Sequence, residues 1–192
     1  MLPLLLASSS VYRRELLTRL QLPFTCSSPD IDESHRSGES AIALVKRLAT
    51  EKAQALAQSH PAHLIIGSDQ VAVLGEHIIG KPHTFDKARE QLLACSGKSV
   101  TFLTGVALLN SQTGVCQVDC VPFTVHMRTL DSERVERYLH AEQPYDCAGS
   151  FKAEGLGVSL FRSTEGPDAT SLIGLPLIRL IDMLLAESVQ IP

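Results

Sequence analysis

Short apolar runs alternate along the chain with segments whose apolar residues recur every three or four positions. These are the signatures of buried strands and amphipathic helices. Leu4–Ala7 reads as a buried strand. Ser8, Ser9 and Ser10 after it are natural N-caps for a helix over 11–20, which sets Leu16, Leu17 and Leu20 on one side. A short strand is predicted over 23–28, and the polar stretch PDIDESHRSGES over 29–40 is a loop. A long helix over 40–58 is ended by His60 and Pro61. HLIIGS over 63–68 is a second buried strand, ending in Asp69. Strands over 71–74 and 77–79 flank Gly75 and Glu76 as a hairpin. A helix over 84–95 has Gly97 as its C-cap, and two long strands over 99–109 and 115–126 are joined by NSQTG. A helix over 131–141, a glycine-rich irregular stretch over 144–174 and a helix over 176–187 complete the pattern. The order predicts an α/β fold, a layered mixed sheet with flanking helices. One domain over 1–192 is expected, with two lobes around a cleft as the variant.

Against this pattern, several charges stand where a core would not choose them. Val45, Ala49, Lys52 and Leu56 fall at i, i+4, i+7 and i+11, so Lys52 lies within the apolar stripe of its helix. Such a lysine either snorkels to the surface or meets an anion. Arg13 begins the buried face that Leu16, Leu17 and Leu20 continue. A helix N-terminus, serine hydroxyls and a guanidinium together suit a phosphate. The alternative is an arginine paired with a carboxylate. Asp69 at a strand tip suits a general base or a metal ligand, or else a turn cap. Asp30, Asp32 and Glu33 are hard oxygen donors of the kind that hold Mg²⁺ or Mn²⁺ on phosphates, although acidic loops are commonly just solvated. Lys81, in Gly80-Lys81-Pro82, adds a cation before a helix start.

The overall charge sharpens this picture. With 17 Lys and Arg against 21 Asp and Glu, the net charge is −4, which excludes the broad basic face that a nucleic-acid polymer needs. A small polyanion needs only a few local cations. No apolar run reaches the roughly 20 residues of a membrane helix. The start MLPLLLA lacks a basic n-region and is followed by Arg13 and Arg14, so it reads as a strand and the protein as cytoplasmic. The five cysteines (Cys26, Cys95, Cys116, Cys120, Cys147) are expected to be buried free thiols. Cys116 and Cys120, four residues apart in a strand, stand about 13 Å apart, too far for a disulfide. Walker, zinc-ligand and Gly-x-Ser-x-Gly spacings are all absent. Cations and carboxylates without a nucleophile fit water attack on a phosphoanhydride.

Eight ordered stretches carry a resemblance. They are LLLASSSVYRRELL (4–17), PDIDES (29–34), LATEKA (48–53), IIGSDQV (65–71), GKP (80–82), FLTGVALLN (102–110), AGSFKAEG (148–155) and LIGLPL (172–177). Over essentially its full length the chain resembles the Maf-like nucleotide pyrophosphatases. The resemblance implies a Maf/ITPase-like fold with a deep cleft, a divalent metal (Mg²⁺ or Mn²⁺), a homodimer, and hydrolysis of a nucleoside triphosphate to monophosphate and diphosphate. Ser8, Arg13, Glu33, Lys52, Asp69 and Lys81 match the family's phosphate-handling and catalytic set, with Asp69 as general base and Glu33 and Asp69 at the metal.

Tyr12, Gln70 and Glu154, with Phe151 where the pyrimidine-preferring branch has Tyr, are similar to the branch that acts on 7-methyl-GTP. N7-methylguanine is cationic. A glutamate can accept from its N1–H and N2–H edge, and an aromatic at position 12 adds cation–π attraction on the order of 0.5–2 kcal/mol. Tyr12 stands where that branch tends to have Trp, so its stacking is weaker. A pyrimidine triphosphate (dTTP or UTP) pyrophosphatase and a nucleotide-binding regulator of cell division without turnover are the alternatives.

Overall fold

A computed structural model describes residues 2–191. The elements are β1 (Leu4–Ala7), α1 (Val11–Thr18), β2 (Phe24–Ser27), α2 (Ala41–Ala55), β3 (Leu64–Leu74), β4 (His77–Ile79) and α3 (Phe85–Cys95). They continue with β5 (Ser99–Asn110), β6 (Cys116–Met127), α4 (Ser132–Glu142), β7 (Phe161–Glu165), α5 (Ala169–Ile173) and α6 (Leu177–Ala186). Seven strands form one mixed sheet in the order β2-β1-β3-β5-β6-β7, with β4 paired to β3. β1 runs parallel to β2 and β3, while β3–β4 and β6–β7 are antiparallel. The expected α/β fold with helices flanking a mixed sheet is the one observed.

Two compact units share these strands. One comprises residues 1–70, 104–121 and 168–192, the other 71–103 and 122–167. In the first unit β1, the start of β3 and the end of β5 are buried on both faces, which is why they read as continuous runs rather than alternations. Leu4, Leu6, Leu64, Ile66, Val106 and Leu108 point to one side and pack on Leu16 and Leu17 of α1 and on Leu177, Leu180, Met183 and Leu184 of α6. Leu5, Ala7, Ile65 and Leu109 point to the other side and pack on Ala53 and Leu56. Each such leucine contributes about 1.5–3 kcal/mol by burial. In the second unit, Phe151 packs edge-on between Phe102 and Phe161, with ring centroids 5.2 and 4.8 Å apart.

The helices begin where capping chemistry allows. Ser10, Ser40, Thr84 and Asp131 each accept the backbone N–H three residues on. The helix α6 starts at Pro176, whose side chain cannot cap. The buried Asp168 serves instead: Oδ1 accepts from Thr170 N at 2.8 Å to start α5, and Oδ2 accepts from Ile178 N at 2.8 Å to start α6. Thr170 Oγ1 takes the Leu177 N–H at 2.9 Å. The short α5 lies inside the stretch expected to be irregular.

Three expectations are corrected. β3 does not end at Ser68 but runs on to Leu74, so Asp69 and Gln70 lie inside a strand rather than at its tip. β1 pairs with β3 only as far as Ile66, and β4 takes over at Ala72, so Asp69 stands where one partner strand has stopped and the next has not begun. The helix expected over 40–58 ends at Ala55. All five cysteines are free, but only Cys95 is buried; Cys26 is exposed and Cys116, Cys120 and Cys147 are half-buried. No helix among the described residues is long and apolar enough to cross a membrane.

The packing of α2 depends on two strand glycines. A Cβ on Gly67 would lie 2.0 Å from the Ala49 carbonyl oxygen, and one on Gly105 would lie 2.2 Å from that of Val45. Neither neighbour is a side chain that can swing away. Gly67→Ala is expected to cost about 3 kcal/mol in a urea melt. Gly80→Ala, where an added Cβ meets nothing within 4 Å, is expected to leave the urea midpoint within experimental error. Equal midpoints for the two variants would refute the close-approach argument.

Candidate active site

Because α2 lies so close to the sheet, Lys52 in its last turn reaches β3. Its Nζ sits 2.7 Å from Asp69 Oδ1 and 3.0 Å from Glu33 Oε1. Lys52 and Asp69 are both buried, whereas the Glu33 side chain is 59% exposed and reaches in from the solvent side. Lys52 therefore meets anions rather than snorkelling. An ammonium held by two carboxylates survives burial because neither sign is left uncompensated. Of the acidic trio, only Glu33 reaches the lysine. Asp32 instead accepts the Ser34 backbone N–H at 2.9 Å, which holds its carboxyl below the usual range. Asp30 is exposed.

Arg13 approaches the same carboxylates from α1. Burial lowers its pKa, and the nearby charges of Asp69 and Glu33 partly offset that. Its Nε donates to the Gly174 carbonyl at 2.8 Å. Ser68 Oγ donates to the same carbonyl at 2.9 Å and to Gly105 O at 2.8 Å. Gly174 has φ +126°, a conformation that side chains disfavour, and its carbonyl is thereby aimed at Arg13. Ser8 is buried, and its Oγ accepts the Ser10 N–H at 3.1 Å. Tyr12, half-buried, lies one residue before Arg13 on α1. Gln70 is anchored by its amide nitrogen, which donates to Thr104 Oγ1 (2.9 Å), Ser171 O (2.7 Å) and Leu172 O (3.1 Å). The structure thus gathers Arg13, Glu33, Lys52 and Asp69 at one place in the first unit. Lys81 and Glu154 belong to the second unit and are exposed there.

Several residues that shape the site do not stand out in the sequence as misplaced charges or motif positions. Gly67 and Gly105 bring α2 down, and a glycine inside each apolar strand was the available signal. Gly174 and Asp168 organise the segment under Arg13 and Gln70. Arg47 ties down the loop that carries Glu33. Its guanidinium pairs with both oxygens of Glu39 (2.6 and 2.8 Å), with Glu51 Oε2 (3.0 Å) and with the Ser34 carbonyl (3.0 Å).

Chemically, a buried ammonium and a guanidinium beside two carboxylates can take a polyanion at the cations and a cation or a water at the oxygens. No group of three or more His, Cys, Asp or Glu among the described residues is placed to hold a metal. Two carboxylates still fit Mg²⁺ or Mn²⁺ where phosphates and waters complete the shell.

The Glu33 loop should loosen in acid. The hydrogen bonds from Arg47 lower the Glu39 pKa from its ordinary 4.5 to about 2. A lowered acid pKa gives stability that is present above 4.5 and lost as the pH falls toward 2. Wild type and Glu39→Gln should therefore differ in urea midpoint at neutral pH and converge over that window. A difference that stayed constant on acidification would exclude the linkage.

Comparison with known proteins shows what the whole chain is similar to. The model of the Maf-like protein family matches residues 3–187. Proteins named 7-methyl-GTP pyrophosphatase from Pseudomonas fluorescens strains Pf0-1 and Pf-5 are 87% and 86% identical over 192 residues, covering 100% of both chains in each case. One of the same name from Pseudomonas aeruginosa PAO1 is 71% identical over 189 residues, covering 98% of each chain. With the family model spanning nearly every described residue, the chain belongs to the Maf-like protein family.

Proposed function

We propose that this protein hydrolyses 7-methyl-GTP to 7-methyl-GMP and diphosphate, clearing a modified nucleotide. The observation that carries the chemistry is the buried Lys52 ammonium held between Asp69 and Glu33 with Arg13 beside them. The names of the full-length relatives support the substrate.

Arg13, Lys52 and Lys81 grip the triphosphate, with Ser8 as a further donor. As phosphate oxygens take up the Lys52 ammonium, Asp69 is released to act as a base. A water adds to a phosphorus of the α–β anhydride and gives its proton to Asp69. The bridging P–O bond breaks, and monophosphate and diphosphate separate. Glu33 and Asp69 would hold a divalent cation, Mg²⁺ or Mn²⁺, which would neutralise phosphate charge. Tyr12 stacks on the cationic base. Gln70, its nitrogen already engaged, presents its carbonyl. Glu154 accepts from the N1–H and N2–H edge, and its charge favours the methylated, cationic ring over guanine. The homodimer implied by the family resemblance, and a cytoplasmic location, belong to this proposal as well.

Asp69→Asn is expected to lower kcat for diphosphate release by about a thousandfold. Full release by that variant would overturn the assignment of the base. Chelation should abolish turnover, and Mg²⁺ or Mn²⁺ should restore it. Across 7-methyl-GTP, GTP, UTP and dTTP, kcat/KM should be highest for the methylated nucleotide. Highest turnover on UTP or dTTP would identify a pyrimidine enzyme. Tight nucleotide binding without released diphosphate would identify a regulator.

A further inference from the structure

Glu154 is exposed at the tip of a short loop, and an exposed glutamate samples many rotamers. To accept two N–H groups from one base edge, its backbone must be held to within a fraction of an ångström. The second unit supplies that restraint. Lys152 opens the loop, and its backbone N–H donates to Tyr138 Oη at 3.0 Å. The Lys152 carbonyl then accepts from Gly155 N at 3.3 Å and Gly157 N at 3.1 Å, closing the chain around Glu154. On the far side, Leu156 N donates to Glu142 Oε2 at 2.7 Å. The Lys152 ammonium returns to the same residue, 3.3 Å from its backbone carbonyl and 3.8 Å from Oε1. Gly155 lies flat on this carboxylate: a Cβ there would be 2.9 Å from both oxygens.

Tyr138 and Glu142 are four residues apart on α4, so they share one helix face. One grips the loop two residues before Glu154, the other two residues after. Neither is consumed by the chemistry proposed above. The Tyr138 side chain is buried, and the Glu142 carboxylate is only 19% exposed, so both are preorganised.

We propose that Glu142, with Tyr138, is a specificity-determining positioning residue that fixes Glu154 for recognition of the cationic base. This rests on the reading that Glu154 contacts that base. The grip requires an acceptor at Oε2 for the Leu156 N–H and a counter-charge for Lys152. Glutamine keeps the first and loses the second, whereas alanine loses both.

The test is steady-state diphosphate release from 7-methyl-GTP and from GTP, read as the ratio of their kcat/KM values. The variants are Glu154→Gln, Glu142→Ala, Glu142→Gln, Tyr138→Phe and the double variant Glu142→Ala/Glu154→Gln. Glu142→Ala is expected to lower the ratio about tenfold, chiefly through KM for 7-methyl-GTP. Glu142→Gln should recover part of that loss. Tyr138→Phe, which removes only a hydroxyl, should lower the ratio in the same direction and keeps the question answerable if Glu142→Ala fails to fold. The double variant should be no less selective than Glu154→Gln alone, because the two residues act through one contact. If Glu154→Gln loses selectivity while the Glu142 and Tyr138 variants keep it, or if the losses simply multiply, the positioning role is refuted and the base reading stands. If Glu154→Gln itself keeps the wild-type ratio, the base reading falls and this inference falls with it.

Discussion

The closeness of one helix to one sheet is the constraint on which the site depends. Lys52 can bond Asp69 at 2.7 Å only because the backbone of α2 touches the strands at Gly67 and Gly105. A methyl group at either position would lift the helix by about an ångström or more, since carbon and a carbonyl oxygen cannot approach much below 3 Å. The lysine would then have to reach across a gap, and its ammonium would lose the carboxylates that make its burial tolerable. The packing of the core and the electrostatics of the site are therefore the same fact seen from two sides. The two glycines carry no side chain, yet they set the height at which the charges meet.

The same economy of contacts holds for the segment after β7. Asp168 starts two helices with its two oxygens, and those helices place Gly174, Ser171 and Leu172 beneath Arg13 and Gln70. The backbone carbonyls of this turn receive the side chains of both residues. They orient the guanidinium and the amide without adding charge, which leaves Asp69 and Glu33 as the anions that Arg13 senses.

Much of this was legible in the residue pattern, for physical reasons. Strands buried on both faces announce themselves as unbroken apolar runs, as β1 does. Lys52 and Arg13 stood out because a charge in an apolar stripe is costly and needs a partner. What stayed hidden depends on contacts between distant residues. Asp69 and Gln70 interrupt the apolar run of β3, so the strand looks finished at Ser68, although its hydrogen bonding resumes with β4. Nothing near Asp168 marks it as the cap of a helix that begins nine residues later. Arg47 resembles any surface arginine until the folded loop brings Glu39 and the Ser34 carbonyl to it. The bracket around Glu154 is hidden likewise, because its grips come from α4.

The bond between Arg13 and Gly174 spans 161 positions. A chain made from its N-terminus holds Arg13, Lys52 and Asp69 long before it holds the carbonyl that seats the arginine. Until that turn emerges, the guanidinium has no fixed direction, and Ser68 lacks one of its two acceptors. Closing so long a loop also costs more chain entropy than closing a short one. The nascent protein thus passes through most of its synthesis with these charges in hand but unaimed, and the seat of Arg13 arrives together with the last layer of the fold.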